Sequence, residues 1–190
     1  MASILVVCTG NVCRSPMAEA FLRAGLERRF GEAAPSVASA GTGGWEGSRA
    51  MPESIEAAAE RGVDISSHRG RQLRSVELIA ADLVLAMAHD HRSAILAAAP
   101  EVASNTFTLK EFVRLVEKLD PPSGPAEDPT KTLIARVADA DRLRAEGFAG
   151  VPADEDVADP LGLPVDMFRA VAWELDEWSR RLAAGVYGPV

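Results

Sequence analysis

Two rhythms of apolar residues alternate along the chain. Ser3-Ile4-Leu5-Val6-Val7 is a short, β-branched run with no polar alternation, which predicts a strand buried on both faces, as in parallel sheets. From Met17 to Phe30 the apolar positions fall at 17, 18, 21, 22 and 26, the spacing of one helix face, and Gly31 ends the pattern. Ser15 followed by Pro16 predicts the N-cap and first position of this helix. The exchange then repeats. Ser36 to Ala40 predicts a second strand, closed by the turn Gly41-Thr42-Gly43-Gly44, and Pro52 to Arg61 a helix stopped by Gly62. Leu73 to Ala81 is helical, Leu83 to Ala86 a third strand, and Asp90 to Ala99 a helix halted by Pro100. Asn105 to Leu109 is a fourth strand, followed by a helix from Lys110 to Leu119. Strands alternating with helices predict an α/β fold, a doubly wound parallel sheet with helices on both faces.

The pattern breaks between residues 120 and 160. Asp120-Pro121-Pro122-Ser123-Gly124-Pro125 is loop, and so is Pro152 to Pro160, with acids at 154, 155, 156 and 159. Thr132 to Arg144 has Leu133, Ile134, Val137 and Leu143 at helical spacing. A last helix, Val165 to Ala184, carries Phe168, Val171, Ala172, Leu175 and Trp178 at core positions. The expectation is a single domain over 1–190 with an extra surface excursion at about 120–156.

Composition narrows the classes. With 47% apolar and 25% charged residues, the chain is neither disordered nor collagen-like nor a coiled coil. No run approaches the ~18 apolar residues that cross a bilayer, and the start lacks a basic region before its short apolar stretch, which points to the cytoplasm. Net charge is −8, from 20 basic and 28 acidic residues, so neither a nucleic acid nor an anionic membrane is expected as partner. Two cysteines, Cys8 and Cys13, cannot make a disulfide framework or a four-cysteine zinc site. The three histidines have no ligand spacing. His68 follows two serines and reads as a helix brace, while His89 and His91 point to different faces of a helix. No metal and no cofactor are expected.

The chemistry concentrates in Cys8-Thr9-Gly10-Asn11-Val12-Cys13-Arg14-Ser15, between the first strand and the first helix. Cys8 and Arg14 are separated by five residues, C-x5-R. A short loop that winds back on itself turns its backbone N–H groups inward, and the helix N-terminus adds partial positive charge, which together cradle an oxyanion. That field favours the thiolate of Cys8 as nucleophile. Arg14 offers a two-pronged contact to phosphoryl oxygens, Ser15 can bond the sulfur, and Asn11 tolerates the left-handed angles that hold the loop. The plain alternative is an inert buried cysteine near a turn.

The run from Cys8 to Ala20 resembles the phosphate-binding loop of the low-molecular-weight protein tyrosine phosphatases, closest to their bacterial members. Ser39-Ala40-Gly41-Thr42, Ala81 to Met87 and Phe107 to Phe112 resemble them too. The resemblance covers about 1–117 and 157–182. It implies a phosphatase I-like sheet in the order 2-1-3-4, a thiophosphate intermediate on Cys8, a phosphorylated protein or peptide as substrate and inorganic phosphate as product.

The family's general acid is the Asp of an Asp-Pro pair. Asp120-Pro121, Asp128-Pro129 and Asp159-Pro160 are available. Asp159 is followed by Leu161-Gly162 and a long helix, the family arrangement, and the other two read as turn initiators. Leu161 stands where eukaryotic members carry an aromatic pocket wall, and Trp45 can supply the opposite wall or simply pack. Members acting on phosphoarginine have threonine at the Val12 position. Valine keeps the shape without the hydroxyl, so phosphotyrosine is expected, with phosphoarginine as the alternative. The resemblance also implies a reversible disulfide between Cys8 and Cys13. Arsenate reductases share this fold and loop but relay electrons through further cysteines, and none follows Cys13. A non-catalytic phosphate-binding module would lack the nucleophile or the acid, and both are present. The acidic run Asp154-Glu155-Asp156 reads as a solvated loop face. The sequence sets no oligomeric state.

Overall fold

The computed structural model describes residues 2–122, 126, 128–148 and 155–189. Four strands, β1 (Ser3–Cys8), β2 (Ser36–Gly41), β3 (Leu83–Ala86) and β4 (Thr106–Thr108), form one parallel sheet in the order β2-β1-β3-β4. The helices are α1 (Arg14–Phe30), α2 (Pro52–Ala59), α3 (Ser75–Ala80), α4 (His89–Ala98), α5 (Leu109–Val116), α6 (Pro129–Leu143) and α7 (Val165–Tyr187).

The two-residue period of β1 sorts its side chains onto two cores. Ile4, Val6 and Cys8 face a layer built by Met17 and Leu22 of α1, Phe112 of α5, and Phe168 and Leu175 of α7. Leu5 and Val7 face Leu78 of α3 and Ile95 of α4 on the other side. Burying each large aliphatic side chain here stabilises the fold by roughly 1.5–3 kcal/mol. Because the central strand is covered on both faces, its C-terminal end, where Cys8 sits, is fixed relative to every helix.

Several boundaries differ from the sequence reading, each for a local reason. Helix α1 starts at Arg14, with Cys13 at its cap, so Ser15 is not the N-cap. Ser15 and Pro16 lie in the first turn, where a proline costs no hydrogen bond because those N–H groups have no intrahelical acceptor. Strand β4 ends at Thr108 because that residue caps α5. Its Oγ1 accepts from Glu111 N at 3.1 Å, and Glu111 Oε2 accepts from Thr108 N at 3.3 Å.

Within the expected surface excursion, the stretch that forms α6 packs on the core. Helix α6 begins at Pro129, not Thr132, because Asp128 is a true N-cap whose Oδ1 accepts from Thr130 N and Lys131 N at 3.0 and 3.1 Å. Leu133, Val137 and Ala140 are buried in the same core as β1, although Ile134 is exposed. Thr130 Oγ1 accepts from Ala2 N at 3.0 Å, which places the start of α6 at the end of β1 opposite Cys8. The acidic run is corrected in part. Asp154 lies outside the described residues. Glu155 is buried, with Thr108 Oγ1 donating to it, and Asp156 accepts from His89 N at 2.7 Å at the start of α4. Glu155 is therefore a buried anchor, while Asp156 stays exposed as expected and also bonds the start of α4.

Candidate active site

Residues 9–13 join the buried end of β1 to the start of α1. Gly41, paired with Cys8, presses the end of β2 against this loop. A Cβ at Gly41 would stand 2.3 Å from Thr9 O and 3.1 Å from Asn11 N, so no larger residue fits without displacing the loop. Asn11 has φ 56°, alone among the described non-glycine residues in being left-handed, and is fully buried.

The Asn11 amide sets the direction of the hydrogen bonds around it. Its Oδ1 accepts from Arg71 N at 3.0 Å, and a backbone N–H can only donate. Its Nδ2 must then be the donor to Ser15 Oγ at 2.9 Å and Ser39 Oγ at 2.8 Å. Ser39 passes its own hydrogen to Glu19. Ser15 Oγ also lies 2.9 Å from Cys8 Sγ, and when Cys8 is a thiolate, which can only accept, Ser15 is the donor. A hydroxyl hydrogen directed at the sulfur stabilises the anionic form. His68 Nε2 donates to Asn11 O at 2.9 Å, so this histidine braces the loop instead of a helix start.

Arg14 is 5% exposed. Its Nη1 donates to Val157 O at 3.2 Å and its Nη2 to Asp159 Oδ2 at 2.6 Å, while its Nε is buried without a partner. Asp159 Oδ1 accepts from Leu161 N at 3.2 Å, a short Asp-Pro turn that fixes the carboxylate. The strap 155–159 that carries Asp159 is tied to the C-terminal end of the sheet: Val157 N donates to Met87 O at 2.8 Å. These anchors bring together two residues 145 positions apart.

Cys8, Thr9, Gly10, Val12, Cys13, Arg14, Trp45, Asp159 and Leu161 line one cavity of about 80 Å³. Asn11 and Ser15 sit behind its wall. Trp45, 47% exposed, and Leu161, 41% exposed, form its rim, and Trp45 N donates to Gly10 O at 3.0 Å. Cys8 and Cys13 are free thiols, and burial pushes the Cys13 thiol up to about 12. Asp120 and Asp128 do not line this cavity. Among the described residues no group of three His, Cys, Asp or Glu side chains could hold a metal ion, and no helix is long and apolar enough to cross a membrane.

The family model of low molecular weight phosphotyrosine protein phosphatases matches residues 3–140. The chain belongs to this family. Its phosphatase relatives include a probable low molecular weight protein-tyrosine-phosphatase, EpsP, of Ralstonia solanacearum, 43% identical over 110 residues, covering 58% of the chain and 72% of the relative. A protein-arginine-phosphatase of Geobacillus stearothermophilus is 34% identical over 184 residues, covering 95% of the chain and 93% of the relative. A solved YwlE arginine phosphatase, a cysteine-to-serine variant with a phosphorylated active-site serine, superposes with a TM-score of 0.69 at 31% identity, covering 95% of the chain and 93% of the structure. The family is one of hydrolases whose phosphoryl group passes through the enzyme.

Sequence reasoning missed four side chains around this candidate site: Ser39, Glu19, His68 as a loop brace, and His91. None carries a spacing signal, because each reaches the loop from a different element. His91 Nε2 lies 2.8 Å from Thr9 Oγ1. Burial first, and then the charge of Arg14, lower its pKa from 6.5 to about 4. The folded imidazole therefore releases its proton at a lower pH than the unfolded one, and between about 6.5 and 4 the unfolded chain binds more protons. Stability falls as pH drops through that window. The expected loss between pH 7 and pH 5 is roughly 2 kcal/mol from this group. Urea unfolding at the two pH values measures it, and His91→Gln should flatten the difference. An unchanged slope in that variant would contradict the assignment.

Proposed function

We propose that this enzyme removes phosphate from phosphotyrosine in proteins, with Cys8 as nucleophile, Arg14 as phosphoryl ligand and Asp159 as general acid and then base. The observation that carries the proposal is the cavity in which Cys8, Arg14 and Asp159 meet under the apolar rim of Trp45 and Leu161. The substrate phosphoryl group enters against the backbone N–H groups of the loop and takes the free Nε and the Nη2 of Arg14. Asp159 Oδ2 is then released from Arg14 toward the leaving oxygen. Once parted from Arg14, Asp159 takes up a proton from the incoming substrate monoanion or solvent; Cys8 Sγ, as thiolate, then forms a bond to phosphorus as the bond to the phenolic oxygen breaks, and Asp159 gives that oxygen its proton. A water then attacks phosphorus, its proton passes to Asp159, and the P–S bond breaks. Ser15 steadies the sulfur as nucleophile and as leaving group. Inorganic phosphate is the second product. Cys13, in the same loop, is the partner that would close a disulfide on an oxidised Cys8. A cytoplasmic setting fits two free cysteines and belongs to the same reading.

Asp159→Ala should lower kcat on a phosphotyrosine peptide by about 10²- to 10³-fold, and far less on p-nitrophenyl phosphate, whose leaving group needs little help from an acid. Steady-state kinetics on both substrates test this, and equal losses would argue that another group supplies the proton.

A second reading, phosphoarginine as substrate, is favoured by one observation. The arginine phosphatase relative aligns with 95% of the chain, against 58% for the tyrosine phosphatase EpsP. Against it stands Val12, buried in the loop with no hydroxyl to offer a P–N substrate. Paired assays on phosphotyrosine and phosphoarginine peptides decide. The expected result is phosphotyrosine preference, shifted about 5- to 10-fold toward phosphoarginine by Val12→Thr, the size of one hydrogen bond. A wild-type preference for phosphoarginine would establish the second reading.

A further inference from the structure

Thr9 follows the nucleophile, is exposed, and lines the 80 Å³ cavity. It also lines a neighbouring cleft of about 470 Å³, and Arg14 and Asp159 are the other two residues common to both. Its side chain makes one hydrogen bond among the described residues, to His91 Nε2 at 2.8 Å. His91 is 6% exposed, sits in the first turn of α4, and has a buried Nδ1 with no partner.

We propose that Thr9 is a side-chain ligand of the bound phosphoryl group and that His91 is its positioning residue, donating from Nε2 to Thr9 Oγ1 so that the threonine hydroxyl points its hydrogen at a phosphoryl oxygen. This deepens the function proposed above and rests on reading the cavity as the phosphoryl site.

The argument is a count of hydrogens. The hydroxyl has one and the neutral imidazole has one. Burial and the nearby Arg14 keep the ring neutral above about pH 5. With the ring hydrogen on Nδ1, Thr9 must give its own hydrogen to Nε2; Nδ1 is buried without a partner in either tautomer, so the ring's own burial does not choose between them. With the ring hydrogen on Nε2, Thr9 accepts, and its hydrogen is free for the cavity. A phosphoryl dianion only accepts hydrogen bonds, so its arrival selects the second arrangement. Backbone N–H groups and Arg14 surround the anion from the loop and from the helix start. Thr9 adds a donor at the rim shared with Asp159, the side from which the leaving group departs and water enters.

The test uses the full-length enzyme and inorganic phosphate, titrated directly by calorimetry and as a competitor of p-nitrophenyl phosphate. Thr9→Val should weaken phosphate binding about tenfold, while Thr9→Ser stays within about twofold of wild type. His91→Phe should repeat the loss of Thr9→Val, His91→Gln, with an amide N–H, should recover most of it, and the double variant should be no worse than either single one. Nitrogen-15 spectra of the ring should show Nε2 protonated in the wild-type phosphate complex. This readout decides the matter even if Thr9→Val fails to fold. A brace that merely holds the loop would not produce a phosphate-linked tautomer or the rescue by glutamine. Phosphate affinity unchanged in Thr9→Val, or a phosphate complex with the hydrogen on Nδ1, overturns the inference. Turnover undiminished in Cys8→Ser would instead overturn the function proposed above, and the binding titrations still decide the role of Thr9.

Discussion

The backbone N–H of Arg71 can only donate, and it donates to the amide oxygen of Asn11. That one bond orders everything behind the candidate phosphate loop. It turns the Asn11 nitrogen toward Ser15 and Ser39, and Ser15 Oγ in turn meets Cys8 Sγ, to which it donates when the sulfur is a thiolate. The left-handed backbone of Asn11 reverses the chain, and His68 secures its carbonyl from a third segment. Buried networks of this kind are strong when every member is satisfied and costly when one is removed. The reversal also explains why α1 begins at Arg14: the chain is already aligned for a helix there, and the guanidinium enters the cavity from the first helical position.

Opposite this loop, the strap 155–159 solves a different problem. Asp159 is far from Cys8 in sequence, so its position depends on tertiary anchors. Val157 pairs with the end of β3, Asp156 meets the start of α4, and buried Glu155 reaches Thr108 at the start of α5. Each anchor sits at the C-terminal end of the sheet, the edge where parallel α/β folds place their chemistry. Arg14 Nη2 and Asp159 Oδ2 pair at 2.6 Å, and in the proposed mechanism an anion that engages Arg14 releases this carboxylate.

How legible this was in the sequence depends on the reach of each signal. The strands and the loop were readable because buried β-branched runs and a C-x5-R turn are local patterns. Asp159 was singled out only by resemblance, since three Asp-Pro pairs look alike in isolation. The N-cap role of Asp128 was missed because the apolar periodicity of α6 becomes visible only after its capped first turn. The acidic run misled in part for a similar reason: charge alone does not tell that Glu155, at the start of the strap, is buried. Ser39, Glu19, His68 and His91 carry no local pattern, because they converge on the loop only once the sheet has formed.

The central claim is that Cys8 carries the phosphoryl group between two chemical steps. Its most direct measurement is rapid acid quench of the enzyme mixed with excess phosphotyrosine peptide, followed by peptide mass mapping. The account predicts one phosphate on the peptide containing Cys8, decaying as free phosphate accumulates, and absent in Cys8→Ala. Phosphate released with no modified Cys8 at any quench time, or retained turnover in Cys8→Ala, would contradict it.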